Sequence, residues 1–156
     1  MAAGKWKHYD KAVLNQFIGE LNLNATTNWK LALFLSTSNC NTLTVHELYG
    51  DLTNEHANAN GYTTGGIALT GVALTRTGNV VKLTCSPAVW TATGGSITAR
   101  FGVLYRNATD GTKVNPAYAV FLLDATPADV TATDGNTFTV TMNASGITTA
   151  TGASVD

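Results

Sequence analysis

Charge is the scarcest commodity in this chain: only 12% of its 156 residues are Asp, Glu, Lys or Arg, about half the usual share. Nine Lys and Arg stand against ten Asp and Glu, for a formal net charge of −1. The cations are scattered, so no basic stripe exists to neutralise a run of phosphates, and nucleic-acid binding is not expected. Long apolar runs are missing too. Runs such as Leu31 to Leu35 suit one strand and fall far short of the roughly 20 residues that span a bilayer, so no membrane partner is expected. The opening Met1-Ala2-Ala3-Gly4-Lys5-Trp6 lacks the hydrophobic stretch of a secretory signal, which predicts assembly in a cytoplasm. Cysteine is nearly absent: Cys40 and Cys85 are the only two, too few and too far apart for a zinc site. Cys85 follows Val81 and Leu83 at period two and reads as a small buried thiol, while Cys40 lies between Asn39 and Asn41 in an expected loop. A bridge between them would form only in an oxidising medium.

What the chain has instead is Thr, Asn, Ala and Gly. Its surface must be covered by hydroxyls and amides, which offer little long-range repulsion and tolerate close packing against neighbours. The length suits one domain with small appendages. The expected layout is an N-terminal arm over residues 1–8, a single domain over 9–147 and a polar C-terminal tail over 148–156.

Val13, Leu14, Phe17, Ile18 and Leu21 fall at the spacing of one helix face, with Lys11, Asn15, Gln16 and Glu20 opposite. The pattern predicts a short amphipathic helix over 11–21, N-capped by Asp10, whose apolar stripe must rest on the β core or on a partner. Trp29 to Leu35 reads as a strand covered on both faces. Residues 36–59 are polar and mixed and yield no assignment. From Gly61 onward, short strands alternate with Gly, Asn, Asp or Pro: Ile67 to Thr75, a Gly78-Asn79 turn, Val80 to Cys85, an alternating Ile97 to Arg106, Ala117 to Leu123, and Thr137 to Met142. The expected fold is mainly β, an antiparallel β-sandwich or jelly roll with one short N-terminal amphipathic helix.

Chemistry-bearing patterns are thin. His46-Glu47 opens like a zinc-protease helix, but Gly50 stands where the second His is needed. A metal site from His46, Glu47, Glu55 and His56 has no supporting pattern, and no cofactor is expected. Neither Ser86, Ser96 nor Ser145 lies in a nucleophile elbow, and the three histidines all precede residue 57. Asp110, Asp124, Asp129 and Asp134 sit beside turn formers, where Asp has a structural role. Gly65-Gly66 and Gly94-Gly95 lack the setting of a phosphate loop and read as backbone bends needing positive φ. An enzyme is therefore not expected. Trp29 and Trp90 lie in apolar runs and read as core. Trp6 stands apart with Lys5, Lys7, His8 and Tyr9 in a composition suited to anchoring on a partner.

The order Tyr9-Asp10-Lys11, Trp29-Lys30-Leu31-Ala32-Leu33, Gly61-Tyr62-Thr63-Thr64-Gly65-Gly66, Val89-Trp90, Ala99-Arg100-Phe101-Gly102-Val103-Leu104-Tyr105, then Phe138-Thr139-Val140 with Gly146-Ile147, resembles a family of small tailed-bacteriophage virion structural proteins. The likeness runs from about Tyr9 to Ile147, and the sequence departs from it in its Cys-bearing loop and Thr- and Ala-rich ending. The resemblance implies a non-enzymatic virion component, first a capsid decoration or cement protein that binds the outer capsid surface and bridges neighbouring subunits. Its expected partners are the major capsid protein of a phage and copies of itself, by analogy as trimers, with Trp6, Tyr9, Phe17 and Ile18 as contacts. The alternatives are a neck, tail or fibre component, or a carbohydrate-binding module that attaches the particle to host glycans.

Overall fold

The computed structural model describes residues 4–143 and 145–152. Along the chain run β1 (Lys7–His8), α1 (Asp10–Phe17), β2 (Trp29–Phe34), a 3-10 turn (Tyr49–Asp51), β3 (Ile67–Ala68), β4 (Ala73–Thr77), β5 (Val80–Thr84) and β6 (Ala88–Thr91). They continue as β7 (Ile97–Ala99), β8 (Phe101–Arg106), β9 (Thr109–Asp110), β10 (Lys113–Val114), β11 (Ala117–Leu122), β12 (Val130–Ala132), β13 (Thr137–Val140) and β14 (Thr148–Thr151). The chain is mainly β and sandwich-like with one short helix, as the alternating apolar pattern predicts.

The apolar runs form the middle of a five-stranded antiparallel sheet in the order β1-β11-β8-β2-β3. Register places Ala32 opposite Val103, Val103 opposite Val120 and Val120 opposite Lys7. In the next pleat Leu33, Gly102 and Phe121 are aligned. Since successive side chains point to opposite faces, the rows alternate between two faces, and β8 is buried at every position. The sequence predicts one buried face there. Both are covered, and Gly102 is the concession, because a Cβ at that position would strike the Phe121 ring.

The face that carries Leu33 and Phe121 meets the remaining strands. Trp6 lies on Phe121 with centroids 4.2 Å apart, and both border a cleft of about 230 Å3 shared with Val140 and Met142. Beyond it stand the pairs β13–β6 and β12–β7 and the three-stranded set β14-β5-β4. Trp90 is 6.1 Å from both Tyr62 and Phe138 in this layer.

The opposite face, with Phe34, Phe101 and Tyr105, is covered by the irregular segment 36–59. Tyr49 stacks on Tyr105 at 4.2 Å and meets Phe34 edge-on at 6.3 Å. A carboxylate holds this cover in place: Glu55 accepts hydrogen bonds from the Tyr49 hydroxyl, the Tyr62 hydroxyl (2.6 Å) and the Gly65 N–H (2.7 Å). The Tyr105 hydroxyl donates to the Gly65 carbonyl at 2.7 Å. Burial, then the Glu55 charge, pushes the Tyr105 hydroxyl up to about 12. Burial, then the hydrogen bond to Glu55 and its charge, raises Tyr49 and Tyr62, so all three remain protonated donors.

A buried ion pair ties the connection before β2 to the end of β8. Arg106 grips Asp110 through Nε at 3.0 Å and a second nitrogen at 3.1 Å, lies over Trp29 at 5.3 Å, and donates to the Thr27 carbonyl. Asp110 also accepts from the Asn22 N–H at 3.0 Å. Burial alone would raise the Asp110 pKa, but these donors outweigh it and hold the carboxyl below its usual range.

Several expectations are corrected. The helix spans Asp10–Phe17 rather than 11–21, and Asp10 occupies its first turn while Tyr9 is at the N-cap without a side-chain cap. Ile67 to Thr75 is broken at Gly71, which has φ +60°. Ile97 to Arg106 is broken at Arg100, whose N–H bonds to the Phe34 carbonyl. Residues 7–8 of the expected free arm are a sheet strand, and the Gly4 N–H extends that pairing to the Leu122 carbonyl. Residues 148–151 of the C-terminal tail form β14 along β5. Residues 153–156 of that tail lie outside the described residues. Cys40 lies in a turn of the irregular segment, as the sequence predicts, and is fully buried there, its carbonyl accepting from the Tyr9 hydroxyl.

Two consequences are measurable. Gly66 has φ +70°, and a Cβ there would collide with the Leu31 carbonyl oxygen, whereas a Cβ at Gly78, φ +60°, meets open space. Gly66→Ala is expected to lower unfolding stability by more than about 3 kcal/mol and Gly78→Ala by about 1 kcal/mol, read from denaturant midpoints. The depressed Asp110 pKa adds stability that is complete above the unfolded carboxylate value near 4 and is lost as pH falls through the lower folded value. Asp110→Asn is expected to cost about 3 kcal/mol at neutral pH, since Arg106 is left buried and unpaired, and to flatten the decline in stability below about pH 4, followed by urea titration at each pH.

Candidate docking surface

Tyr9 determines which side of α1 faces outward. Its side chain is fully buried, its hydroxyl donates to the Cys40 carbonyl at 2.8 Å, and its ring meets His46 edge-on at 6.4 Å. The Asp10 N–H bonds to the Leu43 carbonyl at 3.1 Å. With the helix entry pinned there, the residues three and six further on, Ala12 and Asn15, share the inward side, and both are buried. Asn15 donates to Glu47 Oε1 at 3.0 Å, and Lys113 Nζ is 3.0 Å from the same oxygen. The helix therefore rests on a small residue and an amide.

Of the two placements the hydropathy pattern allows for the apolar stripe, on the β core or outward, the structure has the outward one. Val13, Leu14 and Ile18 are exposed, and Phe17 is 87% exposed. The helix ends just beyond, where Gly19 takes φ +79°. Leu21, the fifth member of the pattern, lies past the helix end and returns to the core at 3% exposure. Four adjacent side chains of this size present on the order of 400 Å2 of apolar surface, comparable to the largest patch on a typical monomer.

Of the four residues expected to contact a partner, Phe17 and Ile18 are on this surface. Tyr9 is not: it is a core anchor, and its assignment as a contact is corrected. Trp6, just ahead of β1, is half-buried against the Phe121 ring. Val13 and Leu14, part of the same periodic pattern, complete the patch and could have been read from it once the inner side was known to be Ala12 and Asn15. Trp29, Trp90, Tyr62 and Tyr105 are all at or below 5% exposure, so none of them presents a ring face for stacking on a sugar.

The candidate chemical groups are each tied into local structure. Asp129 pairs with Arg100 at 2.8 Å, Asp124 accepts from the Thr126 N–H, and Asp134 accepts from the Gly94 N–H. Glu47 and Glu55 point at different partners, as described. His46 Nε2 lies 3.1 Å from the Asn39 carbonyl and His56 Nδ1 lies 2.8 Å from the Ala57 carbonyl. Burial lowers the pKa of His8, whose ring packs on Tyr118 at 4.9 Å. Cys40 and Cys85 are free thiols, and burial pushes both up to about 11, which leaves them protonated and poor nucleophiles. Among the described residues no group of three or more His, Cys, Asp or Glu is placed to hold a metal ion, and no helix is long and apolar enough to cross a membrane.

No protein-family profile, curated protein or solved structure matches the chain.

A helix whose apolar side faces solvent loses little when that side is trimmed. Leu14→Ala, Phe17→Ala and Ile18→Ala are expected to change unfolding stability by no more than about 0.5 kcal/mol each. Tyr9→Ala, a buried aromatic truncation, is expected to cost about 3 kcal/mol or more. Guanidinium titrations of the four variants make the comparison, and a core-sized loss at Phe17 would contradict the exposed orientation.

Proposed function

We propose that this chain is a non-enzymatic virion structural protein of a tailed bacteriophage, a decoration or cement protein that docks on the outer capsid and bridges neighbouring subunits. The observation that carries the docking half of this reading is the outward apolar stripe Val13, Leu14, Phe17 and Ile18 on a protein with only 12% charged residues. The virion half rests on the sequence resemblance.

The magnitudes favour a lattice over a lone partner. Burying about 400 Å2 of apolar surface releases roughly 10 kcal/mol, which is of the same order as the freedom lost when two bodies associate. One such contact is weak. A shell that repeats the site on symmetric neighbours, with each copy touching more than one subunit or its own neighbour, multiplies the contact without new chemistry. Sparse surface charge keeps the mutual repulsion of crowded copies low. A neck, tail or fibre role uses the same patch on a smaller ring and is separated by stoichiometry.

Phe17→Asp with Ile18→Asp is expected to abolish saturable attachment to purified capsids that lack the protein while leaving the melting temperature within a few degrees of the parent. Quantitative mass spectrometry of mature particles should find on the order of several hundred copies for a shell component and about six or twelve for a neck or tail ring. Particles devoid of the protein would end the reading.

A further inference from the structure

The cover formed by α1 and residues 36–59 stops short of one end of the sheet face. There a groove of about 640 Å3 crosses β8, β11 and the strand-like start of the chain. Its floor includes Phe101, Val120 and Leu122, and Leu43 and Pro127 flank it. Phe101 and Val120 are nearly covered from water, and the apolar surface left open to the groove belongs to the half-buried Leu43 and Leu122 and the exposed Pro127. The groove ends beside the start of α1, since Leu43 lines it and its carbonyl receives the Asp10 N–H.

The rim is positively charged. Lys5, Lys7 and Arg100 all line the groove. Arg100 is answered by Asp129 at 2.8 Å. Lys5 and Lys7 are exposed, and among the described residues neither has a carboxylate partner. Two residues apart on an extended backbone, they stand on the same side, spaced about 7 Å along it. An extended guest chain repeats its side chains at the same interval.

We propose that this groove seats an extended segment of the docking partner in which carboxylates flank an apolar side chain, the apolar group against Leu43, Leu122 and Pro127 and the carboxylates at Lys5 and Lys7. This rests on the docking reading above and names the chemistry of what docks. An apolar floor desolvates the charged contacts and strengthens them relative to open surface. A nucleic acid would use the lysines but not the floor, and two cations neutralise too few phosphates to hold it.

The test needs no particle. Isotope-labelled protein is titrated with capped hexapeptides that alternate Asp or Glu with Val, Leu or Phe, with Lys-substituted counterparts, and with a thymidine hexanucleotide. The acidic peptides are expected to bind with amide shifts at Phe101, Val120 and Leu122, and to weaken about ten-fold between low and physiological salt. Lys5→Glu with Lys7→Glu, both at exposed positions, is expected to lose at least about ten-fold in affinity for the acidic peptides and to gain affinity for the Lys peptides. The proposal is overturned if acidic and Lys peptides bind the parent equally, if the oligonucleotide binds as well as the acidic peptides, if no peptide binds, or if the double charge reversal changes nothing. Any of these outcomes combined with intact capsid attachment removes the groove from the interface while docking through α1 stands.

Discussion

The structure depends on one constraint: its central strands have no polar face. β8 is buried at every residue, β11 at all but Leu122, and β2 at all but Lys30. Such strands are stable only under cover on both sides. One side is covered by regular strands, whose ladders satisfy their own backbone. The other is covered by residues 36–59, with α1 packed at the β11 edge, and apart from a 3-10 turn and single bridges that stretch has no ladder to absorb its amides.

Side chains take that role. Asp51 receives the N–H groups of Glu47 and Leu48, both at 2.9 Å. Asn39 accepts from the Thr53 N–H and donates to the Asp51 carbonyl, Ser38 donates to the Thr53 carbonyl, and Asn54 donates to the Thr37 carbonyl. Glu55 then joins the far end of the segment to Tyr49, Tyr62 and Gly65. The amide- and hydroxyl-rich composition that makes this region unreadable by periodicity is therefore what lets an irregular chain lie over an apolar sheet without burying unpaired polar groups.

Legibility followed the same division. Where a strand pairs and packs as its own pattern dictates, the sequence was enough: Thr137 to Val140 alternates in burial as expected, the Gly78-Asn79 hairpin joins β4 to β5, and Trp29 to Phe34 is central and doubly covered. Long-range contacts decided the rest. Arg100 breaks an otherwise continuous strand because its N–H is claimed by Phe34, and residues 148–151 become a strand only because β5 offers an edge. For α1 the periodicity was right and its direction was hidden. Nothing local shows that Tyr9 is swallowed by the core, and that single burial turns Ala12 and Asn15 inward and Phe17 outward. Lys5 and Lys7 read in the sequence only as part of a segment suited to anchoring on a partner; the groove they line is built with residues about a hundred positions away, which no local pattern shows.

An exposed apolar stripe on a free protein carries a solubility cost, and the placement of this one limits it. The stripe is confined to a two-turn helix fixed at one end by Tyr9 and at its middle by Asn15, so it cannot collapse onto the core without pulling either group from its partner. It is therefore held ready, and a partner meets it without a reorganisation step. The groove adjoins the helix, ending beside the start of α1 where the Leu43 carbonyl receives the Asp10 N–H. A stripe of about 400 Å2 is roughly half of what one side of a stable complex buries. A partner that also laid a strand into the groove would supply much of the remainder, and its carboxylates would determine the register that an apolar stripe alone leaves free.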